Sequence, residues 1–535
     1  MIHEGRFDYI IIGAGSAGCV LANRLSEDPD VKVLLLEAGP RDWHPFIHMP
    51  AGLAKLVNRK GVNWNYDTAP EPHLHKRVLW WPRGKVLGGS SSINAMCYIR
   101  GVARDYDEWG QVAQGWDWNG VLPYFRRSEG NSRGGDALHG ADGPLSVSDL
   151  RHSNPLSQVF LDAAGQVGIP ANGDFNGPSQ EGVGLYQVTQ RDGARCSAAV
   201  AYLNPAKSRR NLTVHTGALV NRITFDGARR ANGVTYSMRG KAFHQPAARE
   251  VILCGGTINS PQALMLSGIG PADALRSLGI DVVHDSPGVG GNLQDHLDIC
   301  TLQHSTRRIT YDRINEPRMA FDYYLRGHRG AGSSNIAEAG GFWRSPLATD
   351  ERCDVQFHFV PAMLDDHGRR RLPGDGYTLH ACFLRPRSRG RLTLASNRAS
   401  DQPRIEANYL GDAEGFDLKV MLECAKVSRS IFAQRAFDPY RGSPIFPARN
   451  DLSDAELLEF IRAKAESVYH PVGTCRMGDD DDAVVDASLR VRGVEGLRAA
   501  DCSVMPAPIS GNTNGPAMAL GWRAADLILA DRAGC

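Results

Sequence analysis

The chain has 535 residues, enough for two or three domains, and its 42% apolar and 22% charged residues are those of an ordinary globular protein. Sixty basic against 59 acidic residues leave a net charge near zero, which argues against nucleic acid as a partner. Eleven scattered cysteines without a CxxC pair argue against disulfide scaffolding and structural zinc, and no apolar run approaches the roughly 20 residues of a membrane span.

A first buried strand is predicted at 9–12, close enough to Met1 to leave no room in this sequence for a secretory signal. Gly13, Gly15 and Gly18 follow as GxGxxG, then small and apolar residues suited to a helix (19–25) and a second apolar strand (31–36) ending at Glu37. In such a unit the first glycine makes the turn and the second lets backbone approach a pyrophosphate. The third packs helix on strand, and the helix N-terminus faces the phosphates. Glu37 is placed to accept hydrogen bonds from a ribose hydroxyl. The unit predicts a dinucleotide site and leaves NAD and FAD both open.

Residues 64–81 read as an extended excursion, and 82–94 as a glycine- and serine-rich loop able to wrap N–H groups and hydroxyls around an oxygen-rich ligand. A surface loop is expected at 132–143, a small-residue helix at 195–203, and paired strands at 212–215 and 219–225. A second strand–glycine–helix crossover is expected from 250 to 266, its helix starting near Ser260-Pro261. Strands at 355–360, 377–384 and 391–394 predict a mainly antiparallel sheet, with a helix over 416–432. His358 and His380 on those strands read as buried, satisfied histidines, Arg369 to Arg371 as a solvated loop, and Asp479 to Asp482 as a solvated turn. No metal site is expected.

The chemical signals lie near the C-terminus. Pro471 pushes His470 out of helical conformation. Gly511-Asn512-Thr513-Asn514-Gly515-Pro516 precedes a helix expected from about Ala517 to Ala530. Over a flavin, a neutral imidazole titrating near ~6.5 can take an alcohol proton while an amide orients the same oxygen. The same residues also fit a core histidine and a capping asparagine.

Six stretches carry a resemblance: GAGSAGCVLANRL with LLLEAG, GKVLGGSSSINAMCYIRG, GTINSPQALMLSGIGP, GVGGNLQDH, HPVGTCRMG and GNTNGPAMAL. In that order, and over essentially the whole chain, they resemble the glucose–methanol–choline (GMC) flavoprotein oxidoreductases. Within the family the sequence resembles bacterial alkane-pathway primary-alcohol dehydrogenases and choline-dehydrogenase-like proteins. The resemblance implies FAD and an α/β Rossmann-like FAD-binding domain that is discontinuous (1–150, 195–298 and 465–535). It also implies an α+β substrate-binding domain built on a mainly antiparallel sheet (151–194 and 299–464).

Carried onto this sequence, the ADP-binding positions are Gly13, Gly15, Ser16, Ala17, Gly18, Glu37 and Ala38, with Val220 at the adenine. Gly84, Val86, Gly88, Gly89, Ser90, Ser91, Asn94, Ala95 and Met96 belong to the loop against the isoalloxazine and pyrophosphate. Asp501, Asn512, Asn514 and Pro516 fall near the ribityl chain and ring. His470 matches the catalytic base and Asn512 the second His/Asn position, with Asn514 the alternative register. Ile93 stands where some members attach FAD through a histidine, so non-covalent FAD is expected.

The implied reaction is oxidation of a primary alcohol to an aldehyde by hydride transfer to flavin N5, electrons passing to a quinone or other acceptor. An oxidase using O₂ and a choline-type dehydrogenase are the alternatives. Choline would need an aromatic cage and an acid, and Glu338 is either that acid or a structural one. The expected setting is cytoplasmic, with peripheral attachment to the inner face of the cytoplasmic membrane left open.

Overall fold

A computed structural model describes residues 5–56 and 58–533, and two seven-stranded sheets organise it. The first strand, Phe7–Ile12, lies at the centre of its sheet, buried on both faces by Tyr9, Ile10 and Ile11. It pairs in parallel with Val33–Glu37 on one side and with the C-terminal half of Lys241–Leu253 on the other. Leu212–Thr216 and Leu497–Ala499 extend the parallel array at its two edges. The N-terminal half of Lys241–Leu253 leaves that array and pairs antiparallel with Ala231–Met238, which in turn pairs with Ala218–Phe225.

Helix Ser16–Leu25 connects the first two strands across a turn that only glycine permits. Gly13 has φ +102°, and a Cβ there would meet the Cys254 carbonyl oxygen at 2.5 Å. A Cβ on Gly18 would lie 2.0 Å from the Gly13 carbonyl oxygen, so the third glycine sets the helix–strand distance.

The second sheet follows the order Arg441–Phe446, Leu297–Ser305, Gly376–Phe383, Val355–Val360, Ala339–Trp343, Gly182–Leu185, with Glu466–Ser467 beside Leu297–Ser305. Its pairings are antiparallel, as expected. Helix Phe416–Phe432, buried along Val420, Met421 and Cys424, packs on it. Among the described residues no helix is long and apolar enough to cross a membrane.

Five local expectations are corrected. Leu212–Thr216 and Ala218–Phe225 do not pair with each other, because one residue, Gly217, separates them and a hairpin needs at least two. Over 195–203 the chain is not one helix: Arg195 ends the short strand Ala194–Arg195, and a π-helical turn covers Ala199–Leu203. Arg391–Thr393 pairs with Arg404–Glu406 in a separate ribbon and does not join the large sheet. Finally, the crossover helix is Gly256–Leu266, four residues longer at its start than expected, and it contains Pro261. Proline cannot bond the carbonyl four residues back, but that carbonyl, of Thr257, accepts the Thr474 hydroxyl at 2.6 Å. The defect in the helix becomes an anchor for the HPVGT segment. The C-terminal helix, Asn514–Ala533, also starts earlier than expected, with Pro516 in its first turn, where no intrahelical donor is needed.

Candidate active site

A cavity of about 640 Å³ is lined by both sheets. Glu37, Ala38 and Val220 contribute to its wall from the ends of first-sheet strands. Gly13, Gly15, Ser16 and Ala17 of the first turn face it with Gly84, Gly89, Ser90, Asn94, Ala95 and Met96 of the second loop. His470, Asp501, Asn512 and Asn514 complete it with His358 and His380 of the second sheet.

The polar groups of the wall are held from behind. Glu37 accepts the Ala14 N–H at 2.9 Å and the Gly39 N–H at 2.8 Å, one on each oxygen, which fixes the loop after each strand. Burial, only partly offset by those N–H groups, raises its pKa to about 7. Asp501 caps the crossover helix, accepting from Gly256 N–H at 2.8 Å and Ser260 Oγ at 2.6 Å. Asn94 accepts from Met96 N–H and from Arg195, whose buried guanidinium also donates to the Ile47 and Ser91 carbonyls. Gly18, Val86, Gly88, Ser91 and Pro516 lie behind the wall, not in it. Ser91 shows their role: its hydroxyl donates to the Gly88 carbonyl and accepts the Ala198 N–H.

His470 is fixed by its backbone first. Its N–H donates to Asp295 Oδ1 at 2.7 Å, and the preceding carbonyl, of Tyr469, accepts from Arg83 at 2.6 Å. Tyr469 has φ +66°, a conformation that costs a non-glycine residue about 1 kcal/mol or more and persists only when over-determined by such contacts. The Pro471 carbonyl accepts the Thr257 hydroxyl at 2.7 Å.

Two backbone carbonyls then fix which nitrogen of His470 is bare. His296 Nε2 lies 3.1 Å from the Leu384 carbonyl, which can only accept, so His296 is protonated on Nε2. Its Nδ1 therefore accepts, and the partner 3.0 Å away, His470 Nδ1, must carry the proton. In a neutral imidazole that leaves His470 Nε2 as a lone pair. From the other side, the Tyr186 hydroxyl donates its single proton to the Phe357 carbonyl at 2.6 Å and accepts from Gln356 Nε2 at 3.2 Å. The same amide nitrogen donates to Asn512 Oδ1 at 2.9 Å. Asn512 consequently presents its NH₂, 3.1 Å from His470 Nε2 and 3.4 Å from His358 Nε2. The two chains agree where they meet: an amide N–H against a bare imidazole nitrogen.

Electrostatics preserve that state. Burial, then the neighbouring His296 and His358 rings and Arg83, hold the His470 pKa well below that of an ordinary imidazole. Burial likewise lowers His296 to about 3 and His358 to about 4. All three are neutral at pH 7.

Asn514 sits elsewhere, its Oδ1 accepting the Ser16 hydroxyl at 2.8 Å. Cys502 lines the cavity as a thiol, since burial pushes its pKa up to about 12. Glu338 is fully spent inside the protein, accepting from Asn154 N–H, Ser157, Ser334 and Tyr311. It is a structural acid. His358 and His380 are buried but line the cavity, and Arg370 and Arg371 of the exposed loop reach it too.

Sequence reading gave no role to His296, Asp295, Gln356 or Tyr186. For the first two the signal was present: both lie in GVGGNLQDH, one of the stretches that carry the resemblance. Gln356 and Tyr186 left none, because they act through strand register and not through a motif.

Models of the GMC oxidoreductase family match residues 7–298 and 386–521. The chain belongs to the GMC oxidoreductase family. This GMC oxidoreductase is 48% identical over 533 residues to an alcohol dehydrogenase [acceptor] of Pseudomonas putida, covering 98% of this chain and 96% of that one. It is 47% identical over 540 residues to the mitochondrial choline dehydrogenase of Homo sapiens, covering 98% and 89%. Among solved structures, pyridoxine 4-oxidase from Mesorbium loti matches with TM-score 0.88 at 31% identity, covering 97% of this chain and 99% of that one. A formate oxidase of Aspergillus oryzae, described for the effect of a mutation on its FAD modification, matches with TM-score 0.92 at 27% identity, covering 99% of each.

Proposed function

We propose that this GMC oxidoreductase binds FAD without a covalent link, oxidises a primary alcohol to an aldehyde, and passes the electrons to a quinone or similar acceptor. The observation that carries the reading is the bare Nε2 of His470 set against the Asn512 amide at 3.1 Å in the cavity wall. Relatives named for alcohol and choline dehydrogenation support it.

The cavity suits FAD. Gly15 is open toward it, with no atom nearer than 3.7 Å to a built Cβ, and Gly256 has none within 4 Å. Backbone at both turns can therefore approach a pyrophosphate. Glu37, Ala38 and Val220 would hold the adenosine end, the 84–96 loop the pyrophosphate and ring, and Asp501 and Asn514 the ribityl chain. In this reading 1–150, 195–298 and 465–535 form the FAD-binding part, and 151–194 with 299–464 the substrate part. When bound, FAD supplies the hydride acceptor.

The residues do the rest. The substrate hydroxyl replaces the amide as partner of His470 Nε2 and gives it a proton. The Asn512 N–H turns to the alcohol oxygen as negative charge develops there, and holds the C–H bond in line. The carbinol loses one hydrogen as a proton to His470 and one as a hydride, leaving the aldehyde.

The test is anaerobic: a primary alcohol should bleach the bound flavin, and a quinone should restore its colour faster than air does. Rapid peroxide formation in air would overturn the choice of acceptor. Ile93 offers no attachment atom, so acid precipitation should release yellow flavin into the supernatant, and flavin retained in the pellet would overturn the non-covalent reading.

A further inference from the structure

His358 and His380 are directly opposed cross-strand partners on Val355–Val360 and Gly376–Phe383, so their side chains share one face of the second sheet. His358 contacts Asn512; His380 lies one strand further on and also lines the cavity. Its Nδ1 is 2.6 Å from Asp298 Oδ2, and Cys300 Sγ is 3.1 Å from the same nitrogen.

Two ligands of one tetrahedral metal ion lie about 3.3 Å or more apart, so a separation of 2.6 Å is a hydrogen bond. Nδ1 therefore carries a proton for Asp298, a fully buried carboxylate whose other side-chain contact found among the described residues is the Cys300 thiol at 3.4 Å; the imidazole is its counter-ion, and as an imidazolium it carries a proton on Nε2 as well. His380 Nε2 makes no hydrogen bond to any described residue, and it is the nitrogen left for the cavity. Asp298, fully buried, does not line the cavity itself. Burial opposes charge on His380, yet the Asp298 carboxylate holds its pKa above the ordinary imidazole value, with a smaller contribution from Glu466. The other groups facing it, Cys300 and His358, are uncharged. Val360, Ala362 and Met363 line the same cavity, and Asp312, Arg370 and Arg371 line it too.

We propose that His380 is a second recognition point, its Nε2–H donating to an ether or hydroxyl oxygen on the substrate tail. The preferred substrates are then primary alcohols that carry a second oxygen, not quaternary ammonium alcohols. This rests on the alcohol-oxidising reading above. Glu338 is spent inside the protein, and the carboxylates that line the cavity beyond it are engaged too, Asp312 by the Met363 and Gly376 N–H groups and Glu316 by Lys55, so a protonated His380 meets an oxygen and repels a cation.

The experiment compares matched alcohols by anaerobic flavin reduction in the holoprotein. 2-Ethoxyethanol is set against pentan-1-ol, 3-ethoxypropan-1-ol against hexan-1-ol, and choline against its uncharged analogue 3,3-dimethylbutan-1-ol. At least one ether alcohol should be favoured in kcat/KM over its carbon counterpart on the order of tenfold, as a hydrogen bond from a charged donor provides. Choline should be disfavoured against 3,3-dimethylbutan-1-ol. In His380→Leu, and more weakly in Asp298→Asn, the ether-to-alkyl ratio should fall toward one. Equal rates for ether and alkyl alcohols in the unaltered protein, or a ratio that survives His380→Leu, would overturn the proposal. So would a preference for choline over its carbon analogue. Alcohols that all fail to bleach the flavin would instead overturn the alcohol-oxidising reading, which separates the two failures.

Discussion

Replacing His470 with alanine is expected to slow alcohol-driven flavin reduction about 10²–10⁴-fold while the flavin stays bound. The side chain is the sole group at the cavity wall found with both a lone pair turned to Asn512 and a backbone locked by Asp295 and Arg83. Its neighbours there are less well placed to take the proton: the His358 ring faces the same amide at a longer 3.4 Å, and the Cys502 thiol keeps its own proton.

The pH dependence has a definite sign. A base works when neutral, and lowering the pH converts it to the inactive cation. Because burial holds the His470 pKa well below ~6.5, the reduction rate should stay level from pH 8 down through that ordinary imidazole value and fall only at lower pH. Single-turnover reduction across that range checks both statements. A loss smaller than about 10²-fold in His470→Ala, or an acid limb centred near pH 6.5 in the unaltered protein, would remove His470 from the role.

Replacing His296 with leucine is expected to cost a comparable factor, although His296 does not line the cavity. Its Nδ1 is the acceptor that keeps the His470 proton on Nδ1, 3.0 Å away. Without it that N–H is buried and unpaired, and the imidazole does better with its proton on Nε2, facing the cavity. A histidine in the wrong tautomer donates where it should accept, and in a serine-protease triad that error costs about 10⁴. The loss should appear in kcat, with substrate binding little changed. His296→Gln, whose side-chain oxygen can still accept, should recover more than tenfold of it. Equal rates for leucine and glutamine would show His296 to be packing alone.

The parts of the fold legible in the sequence are those governed by short-range sterics. GxGxxG, the apolar strands around it and Glu37 lie within one supersecondary unit, so spacing alone placed them, and the structure puts Gly13, Gly15 and Glu37 together in the cavity wall. His470 and Asn512 were visible as chemistry without geometry: 42 positions apart, they meet only through the packing of HPVGT on the crossover helix. What stayed hidden was long-range pairing. Leu212–Thr216 joined Val33–Glu37 because a sheet edge was open there, and no local signal reports an open edge. The start of the crossover helix was misread because Pro261 looks like a boundary until Thr474, more than 200 positions later, satisfies the carbonyl it leaves free. The role of Gln356 depends on strand register, which alternation of residues restricts to a face but does not align.

Neutron diffraction from deuterium-exchanged crystals of the oxidised protein near pH 7 looks directly at the hydrogens on which everything else turns. Scattering density for deuterium is expected on His296 Nε2 and on His470 Nδ1, with His470 Nε2 bare and the Asn512 ND₂ group directed at it. Deuterium on His470 Nε2, or an Asn512 carbonyl turned toward that nitrogen, would contradict the account at its root.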